Sequence, residues 1–531
     1  MKRYYRLPAI VALALLACGS FAAQQAIVEP FENASWTTPA NVIDTHVAAA
    51  LARQGASLRP QCSDAVFIRR VYLDMIGTLP LPREVDAFLR DTRPDKRAKL
   101  IDSLFLREEF ADYWTMRWCD VLRVKSEFPI NLWPNAVQAY HRWIHDAVRN
   151  NRPYDRFARE LLTSSGSNFR VPAVNFYRAV QGRDPTSLAK AVALTFMGER
   201  AERWPKSRLD GMSAFFSKVA YKKTLEWKEE IVYANPDADK PVKAVFPDGK
   251  AVTIPANVDP RQVFAGWLIS PSNNAFARNI VNRLWAWTMG RGIIHEPDDI
   301  RPDNPPACPE LLACLEKELV KSGYDLRHIL RLILNSRTYQ QSSVPHPLLD
   351  GNMTSPSARS VEFARYAVRQ LDAEVLIDAL SWIGGEGESY SSPIPEPYTF
   401  IPKDQRTIAL ADGSITSSFL TTFGRPSRDT GLLAERGSQP TDTQRLYMLN
   451  SSDIQRRIDR SPRLQMAANA GRRNPVNAIR MIYLTLLSRY PTDDEERIAL
   501  HYYRTSGLQP RQAASDLAWA LINSKEFLCR H

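Results

Sequence analysis

The chain has 531 residues, 44% apolar and 24% charged, with a formal charge of +11. That is an ordinary globular composition with room for a large core and two to four domains. Its basic excess favours acidic partners, but Lys and Arg alternate with Asp and Glu, as in RRVYLD and LEWKEE. A mixed solvated surface is therefore expected, and nucleic-acid binding is not.

Lys2, Arg3 and Arg6 precede an apolar run from Leu7 to Ala17 and then small residues, the pattern of an export signal over 1–22. Such a run rises only about 16 Å against roughly 30 Å of hydrocarbon, too little to span a membrane. Two processing routes stay open: cleavage after Ala22, or lipidation at Cys18 within Leu15-Leu16-Ala17-Cys18. Either way an exported protein is expected, in the periplasm or anchored as a lipoprotein. Membrane contact would come only through a lipid on Cys18.

Beyond the signal the chain is dominated by helical patterns. Ser63 is placed to cap a helix with Phe67, Ile68, Val71, Tyr72 and Met75 on its apolar face, ended by Gly77, and Pro94 opens another with Leu100, Ile101, Leu104 and Phe105. Further 3.6-type periodicity predicts helices over 137–150, 155–163, 187–198, 260–269, 275–289, 309–322, 326–335, 373–383 and 444–459. Only VKAVFPDGKAVTI, 242–254, speaks clearly for strands, with Asp248-Gly249 as a hairpin turn. The expected organisation is mainly α: a helical domain over 40–235, a small β-hairpin connector over 236–256, and a second helical domain over 257–531. A Gly-, Pro- and Ser-rich surface loop is expected over 384–419.

The chain also repeats weakly. IRRVYLDMIGTLPLPREV (68–85) matches IRMIYLTLLSRYPTDDEE (479–496), aligning Arg69 with Arg480, Tyr72 with Tyr483, Pro80 with Pro491 and Glu84 with Glu495. LNSRTY (334–339) and INSKEF (522–527) echo each other too. A reused packing unit, two helices and an apolar anchor, accounts for both.

FIRRVYLDMIGTLP, PDKRAKLIDSL, RWIHDAVRNNRPYDRFARELL, FARNIVNRLWAWTMGRGII, DDIRPDNPPACPELL, LILNSRTYQQSS, LDAEVLIDAL, FGRPSRDT and LINSKEFL succeed one another from about Asp44 onward. In that order they resemble a secreted bacterial family typical of planctomycetes and verrucomicrobia. Its members pair two domains of unknown function, the 1549 and 1553 domains, often fused to cytochrome c-like modules. The resemblance implies work at the cell envelope beside polysaccharide-degrading or electron-transfer machinery. In many relatives Cys-x-x-Cys-His stands where Phe196-Met197-Gly198 here runs almost directly into Arg203-Trp204 and Ala214-Phe215-Phe216. Relatives also often place cysteines before a Glu-Arg that here closes Thr430-Gly431-Leu432-Leu433-Ala434-Glu435-Arg436.

Six cysteines occur, Cys18, Cys62, Cys119, Cys308, Cys314 and Cys529, none followed by His and none in a C-x-x-C pair. Covalent haem and a compact zinc clasp cannot be built from such a set, so no cofactor is expected. Disulfide pairing stays open.

Four stretches carry side chains with chemistry. His141 and His145 share a helix face beside Asp146, the spacing of a two-histidine metal clasp, although Trp143 and Ile144 favour a packed helix. HEPDDIRPDNPP offers Asp298, Asp299, Asp303 and Asn304 as a cation-binding or acid–base loop, against the alternative that they cap turns and pair with Arg301. Arg425, Arg428 and Arg436, with Asp429 and Glu435, suit a carboxylate or sulfate, or else a salt-bridge lock. Trp285 and Trp287 could stack a sugar ring, but lie on a helix apolar nearly all round. The leading expectation is a haem-free binding or scaffold protein of the envelope, its partner another envelope protein or an anionic polysaccharide. The alternative is a hydrolase or accessory enzyme acting on such a polysaccharide.

Overall fold

A computed structural model describes residues 27–236, 240–345, 363–437, 439–472 and 474–531. The expected export signal over 1–22, with Cys18, lies outside them. Twenty-four α-helices against nine strands of at most five residues make the described chain mainly α.

Local chemistry sets the helix ends. Side chains of Asn41, Ser63, Asp184, Asp259, Asn273, Asp325, Thr441 and Thr492 accept from first-turn N–H groups. Gly198 and Gly290, at φ +67° and +81°, close the helices Pro185–Met197 and Asn274–Met289 in the left-handed conformation. The helix expected over 444–459 is two, Asp442–Asn450 and Ser452–Arg460. Ser451 ends the first and its side chain accepts from Asp453 N at 3.2 Å, starting the second.

The expected hairpin forms between Val242–Val245 and Ala251–Ile254, with Val242 opposite Ile254 and Gly249 at φ +90° in the turn. A second sheet has no clear signal in the sequence: Glu230–Ala234 pairs with Val219–Lys223 on one side and Gly166–Ser167 on the other. Its strands are short and carry exposed lysines, so period-two alternation never develops; Arg178 and Arg183 hold Glu230 from outside, at 2.9 and 2.7 Å. From Gly385 the chain is irregular up to the helix Ser418–Thr422, apart from a 3-10 turn at Thr407–Ala409. The later part of that stretch is not a surface loop, because Ile408, Leu410 and Ala411 enter the core and the Asp378 carboxylate accepts from Thr407 N and Ile408 N.

One hydrophobic cluster runs from Ile43 to Phe527 through both helical segments. Where they meet, Asn279 Nδ2 donates to Thr195 O at 2.8 Å and Arg283 Nη1 to the same carbonyl at 3.2 Å, satisfying the C-terminal end of Pro185–Met197. The 198–204 segment packs at this junction. Gly198 O accepts from Ile300 N at 2.9 Å, and Arg203 pairs with Asp299. A Cβ at Gly198 would stand 2.8 Å from Asn279 Oδ1, so this close approach needs glycine.

The repeat is structural. In the first copy Arg107 joins Glu84 and Glu109 at 3.0 and 2.7 Å; in the second Arg489 joins Glu495 and Glu526, each at 2.6 Å. Glu84 and Glu495 both accept the backbone N–H three residues before them at 2.8 Å, so the aligned carboxylates start equivalent helices. The two aromatic anchors are claimed by consecutive arginines: Arg69 donates to Phe527 O at 2.9 Å and Arg70 to Tyr339 O at 2.6 Å. Each guanidinium also lies within 6 Å of that anchor's ring.

Candidate anion-binding cleft

Asp74 stands in the last turn of the helix Asp64–Met75, Arg117 and Asp120 on Glu108–Val121, and Asp372 and Glu374 at the start of Ala373–Gly384. Arg369 and Arg530 face each other in a ribbon of two residue pairs, Arg369–Gln370 against Cys529–Arg530. Arg425, Arg428 and Arg436 come from 424–437, a loop closed at its neck by two glycines: Gly437 N donates to Gly424 O at 2.9 Å. A Cβ on Gly424 would lie 2.8 Å from Gly437 Cα, so neither neck position has room for a side chain. Inside the loop Glu435 accepts from Asp429 N at 2.8 Å and from the Ser427 and Thr430 hydroxyls.

These groups form a continuous ladder of alternating charge. Asp74 Oδ2 accepts from the Tyr339 and Tyr366 hydroxyls, each at 2.8 Å, while its Oδ1 faces Arg369 Nη2 at 3.2 Å and Arg530 Nη1 at 3.6 Å. Arg530 also donates to Asp372, which Arg117 meets at 2.6 Å. Arg436 lies 3.6 Å from Asp372 and donates to Glu374 and Asp120, each at 2.6 Å. Arg428 Nε closes on Asp120 at 2.9 Å and Arg425 Nε approaches Glu374 at 3.5 Å. Six guanidinium groups thus share four carboxylates, leaving a positive excess inside the protein.

Burial alone would push the Asp372 carboxyl up, but Arg117, Arg530 and Arg436 outweigh it and hold it well below the ordinary range. Asp120 is likewise lowered, Arg436 and Arg428 overcoming its burial. Burial, with Arg428 adding, pulls Arg425 down to about 10, still a cation at neutral pH.

The ladder opens onto a cleft of about 650 Å³ lined almost wholly by the second helical segment, with Arg117 from the first. Arg117, Arg369, Arg436 and Arg530 line it together with Arg291, Arg445 and Lys525; its carboxylates are Asp372 and Glu296. Arg117, Arg369, Arg436 and Arg530 are already paired with Asp74, Asp120, Asp372 and Glu374, and Arg445 with Asp442, so the cleft keeps a smaller excess of positive charge, which its low-dielectric walls focus on whatever enters. Arg369 is held in place by the end of Asn274–Met289, donating to Trp287 O at 3.0 Å and Thr288 O at 2.6 Å. That contact uses the absence of a side chain at Gly290, where a Cβ would stand 2.3 Å from Arg369 Cδ.

Of the three arginines singled out by sequence, Arg436 lines the cleft and the other two stand behind it. Arg428 is fully buried against Asp120 and Ala411 O, and Arg425 donates to Ile415 O and Asp412 O. The acidic loop is drawn into internal pairs. Asp298 bridges Arg283 Nη2 and Leu433 N, Asp299 pairs with Arg203 and Arg301, Asp303 with Arg301, and Asn304 Nδ2 donates to Asp299 O. Asp298 therefore ties its loop to the arginine loop, while Asn304 faces a separate pocket beside Glu199 and Glu316. Trp285 is core, and Trp287 is almost wholly buried at the cleft wall.

His141 and His145 stack with ring centroids 6.3 Å apart, but the carboxylates near His145 are Asp112 and Glu108, at 3.4 and 3.5 Å. Burial, with Arg428 and His145 adding, pushes His141 down to about 3. Among the described residues no group of three or more His, Cys, Asp or Glu is placed to hold a metal ion, and the five described cysteines are unpaired.

Arg117, Arg369, Arg530, Asp74 and Asp372 are not legible as a site in the sequence, because they are scattered singly over 457 positions, from 74 to 530, with no shared spacing. The one available signal was Asp372 and Glu374 opening an apolar helix in LDAEVLIDAL. A family model described as "Protein of unknown function (DUF1549)" matches residues 42–207, and one described as "Protein of unknown function (DUF1553)" matches residues 260–503. Searches of curated proteins and of solved structures give no match.

Proposed function

The chain belongs to the family that pairs these two domains of unknown function, and on that premise we propose that it is a haem-free, exported binding protein of the cell envelope whose ligand is an anionic polysaccharide. The cleft carries the reading: six arginines and a lysine line it, and guanidinium forks match carboxylate and sulfate oxygens. Export rests on the N-terminal pattern, and the absence of covalent haem on a sequence with no Cys-x-x-Cys-His. Of the cleft's two carboxylates, Asp372 is held ionised by three arginines and is unsuited to act as a general acid, which favours binding over hydrolysis at that residue.

The test is binding of the purified mature protein to sulfated or uronate-rich polysaccharide beside a neutral polymer of similar length, over a range of salt. Preference for the charged polymer, weakening steadily with salt, is expected. Arg445→Glu with Lys525→Glu, both on exposed positions of the cleft, should weaken binding at least tenfold while leaving the circular dichroism spectrum unchanged. Equal affinity for charged and neutral polymers, or no effect of the double reversal, refutes the reading.

A further inference from the structure

Besides its cations, the cleft is lined by a small set of groups that could take a proton from a ligand. Asp372 is a weak base, because three arginines hold it well below the ordinary carboxylate range, and burial raises the Cys529 thiol. The remaining two are neighbours in the chain, His295 and Glu296, with 39% and 48% of their side chains exposed. Glu296 Oε1 lies 3.3 Å from His295 Nε2, which draws the ring proton to that nitrogen and leaves the lone pair on Nδ1.

The backbone on both sides of the imidazole is fixed. Asn282, fully buried on the helix Asn274–Met289, accepts from Ile294 N at 2.8 Å and donates to Ile294 O at 3.0 Å. Glu296 O accepts from Asp299 N at 3.1 Å. His295 is thereby set between the anchor points of two cleft arginines. Five residues before it, Gly290 packs against Arg369; three residues after it, Asp298 accepts from Leu433 N at 2.5 Å, and Arg436 follows three residues beyond Leu433.

Hydrolysis of a glycosidic bond draws on two carboxyl groups, one of them protonated, and Asp372 is held ionised. β-Elimination asks for something else. In a uronate ring, cations on the carboxylate acidify the hydrogen of the adjacent carbon and stabilise the negative charge that develops when it leaves. Arginine forks and one imidazole are the groups that step uses.

We propose that the cleft, resting on its reading as an anionic-polysaccharide site, cleaves uronate-containing chains by β-elimination, with arginine forks on the uronate carboxylate and His295 as the base. His295 Nδ1 takes the proton from C5, and the C–H electron pair forms the C4–C5 double bond. The C4–O bond breaks, its pair leaving on oxygen. That oxygen takes a proton from water, and the imidazolium returns its own to the hydroxide so formed. The products are two shorter chains, one ending in an unsaturated uronide, and neither oxidant nor reductant is consumed.

The experiment incubates the full mature chain with polygalacturonate, alginate and hyaluronate, following the ultraviolet absorption of the conjugated double bond, the product masses and, in parallel, binding. At least one uronate polymer is expected to give the absorbance, with fragments whose masses add up to the parent without added water. His295→Ala should slow the reaction at least a hundredfold, the scale of general-base catalysis, while leaving affinity within twofold. Added imidazole should restore part of the rate. The His295 side chain is partly exposed, so an unchanged melting temperature is expected. A polymer bound without any gain in absorbance overturns the proposal and leaves the binding reading standing, whereas failure to bind any charged polymer removes both. Undiminished activity of His295→Ala, or fragments each heavier by one water, also overturns it.

Discussion

Arg369 and Arg530 stand directly opposite each other across an antiparallel ribbon, and Asp74 lies against both, at 3.2 and 3.6 Å. Two like charges in that register repel unless a counter-charge lies between them. Asp74 supplies it from a different helix, and Asp372 takes a second bond from Arg530. The ribbon is therefore held by the charge ladder as much as by its own backbone bonds.

Removing Asp74 leaves two arginines facing each other in the interior and two tyrosine hydroxyls without their acceptor. Asp74→Ala is expected to cost about 3–5 kcal/mol, the range for breaking a buried pair from one side. Thermal unfolding followed by circular dichroism checks this, and a fall in the melting temperature of only a degree or two contradicts it.

Gly290 combines a left-handed φ of +81° with a Cβ position already filled by Arg369. Gly290→Ala should destabilise by about 1 kcal/mol or more through backbone strain and also displace Arg369 from the Trp287 and Thr288 carbonyls. Weakened binding of anionic polymer alongside the stability loss is the expected signature. Gly507→Ala, at φ +67° with open space around it, provides the control with strain alone.

Burial holds His141 down at about 3, with Arg428 and His145 adding. Its unfolded form protonates near 6.5, so below that pH the unfolded chain binds a proton the fold refuses. Stability is present above about 6.5 and falls as the pH drops toward 3. His145 acts in the opposite sense, because Asp112 raises it and its contribution is lost as pH rises through that raised value. Asp120 and Asp372, both lowered, add acid sensitivity only below the ordinary carboxylate value of about 4. His531, which burial also pushes down to about 3, acts in the same sense, so His141→Gln should make the fall in melting temperature between pH 6.5 and 4 shallower without abolishing it, while leaving the steeper loss below 4 in place.

Burial pushes the Cys119 thiol up to about 12, and Cys62 is fully buried. Both should resist a maleimide at neutral pH in the native protein, while the half-buried Cys314 and Cys529 are modified first. Peptide mapping by mass after timed labelling gives the order, and early modification of Cys119 contradicts it.

The helices are legible residue by residue, because capping side chains, N-terminal prolines and closing glycines act within a few positions of one another. So are the Asp248-Gly249 hairpin, whose turn is a local property, and the repeat, whose aligned Glu84 and Glu495 start equivalent helices. Which charges meet is settled by packing alone. Asp74 and Arg530 are 456 positions apart, and no local pattern records that Arg428 is spent on Asp120 while Arg436 reaches the cleft. The strands Val219–Lys223 and Glu230–Ala234 pair with each other across only six residues, but those six hold no Asn-Gly or Asp-Gly turn to announce the hairpin. Ion pairing in the interior depends on distance and burial, quantities that arise when separate helices pack, so the cleft exists only in the folded chain.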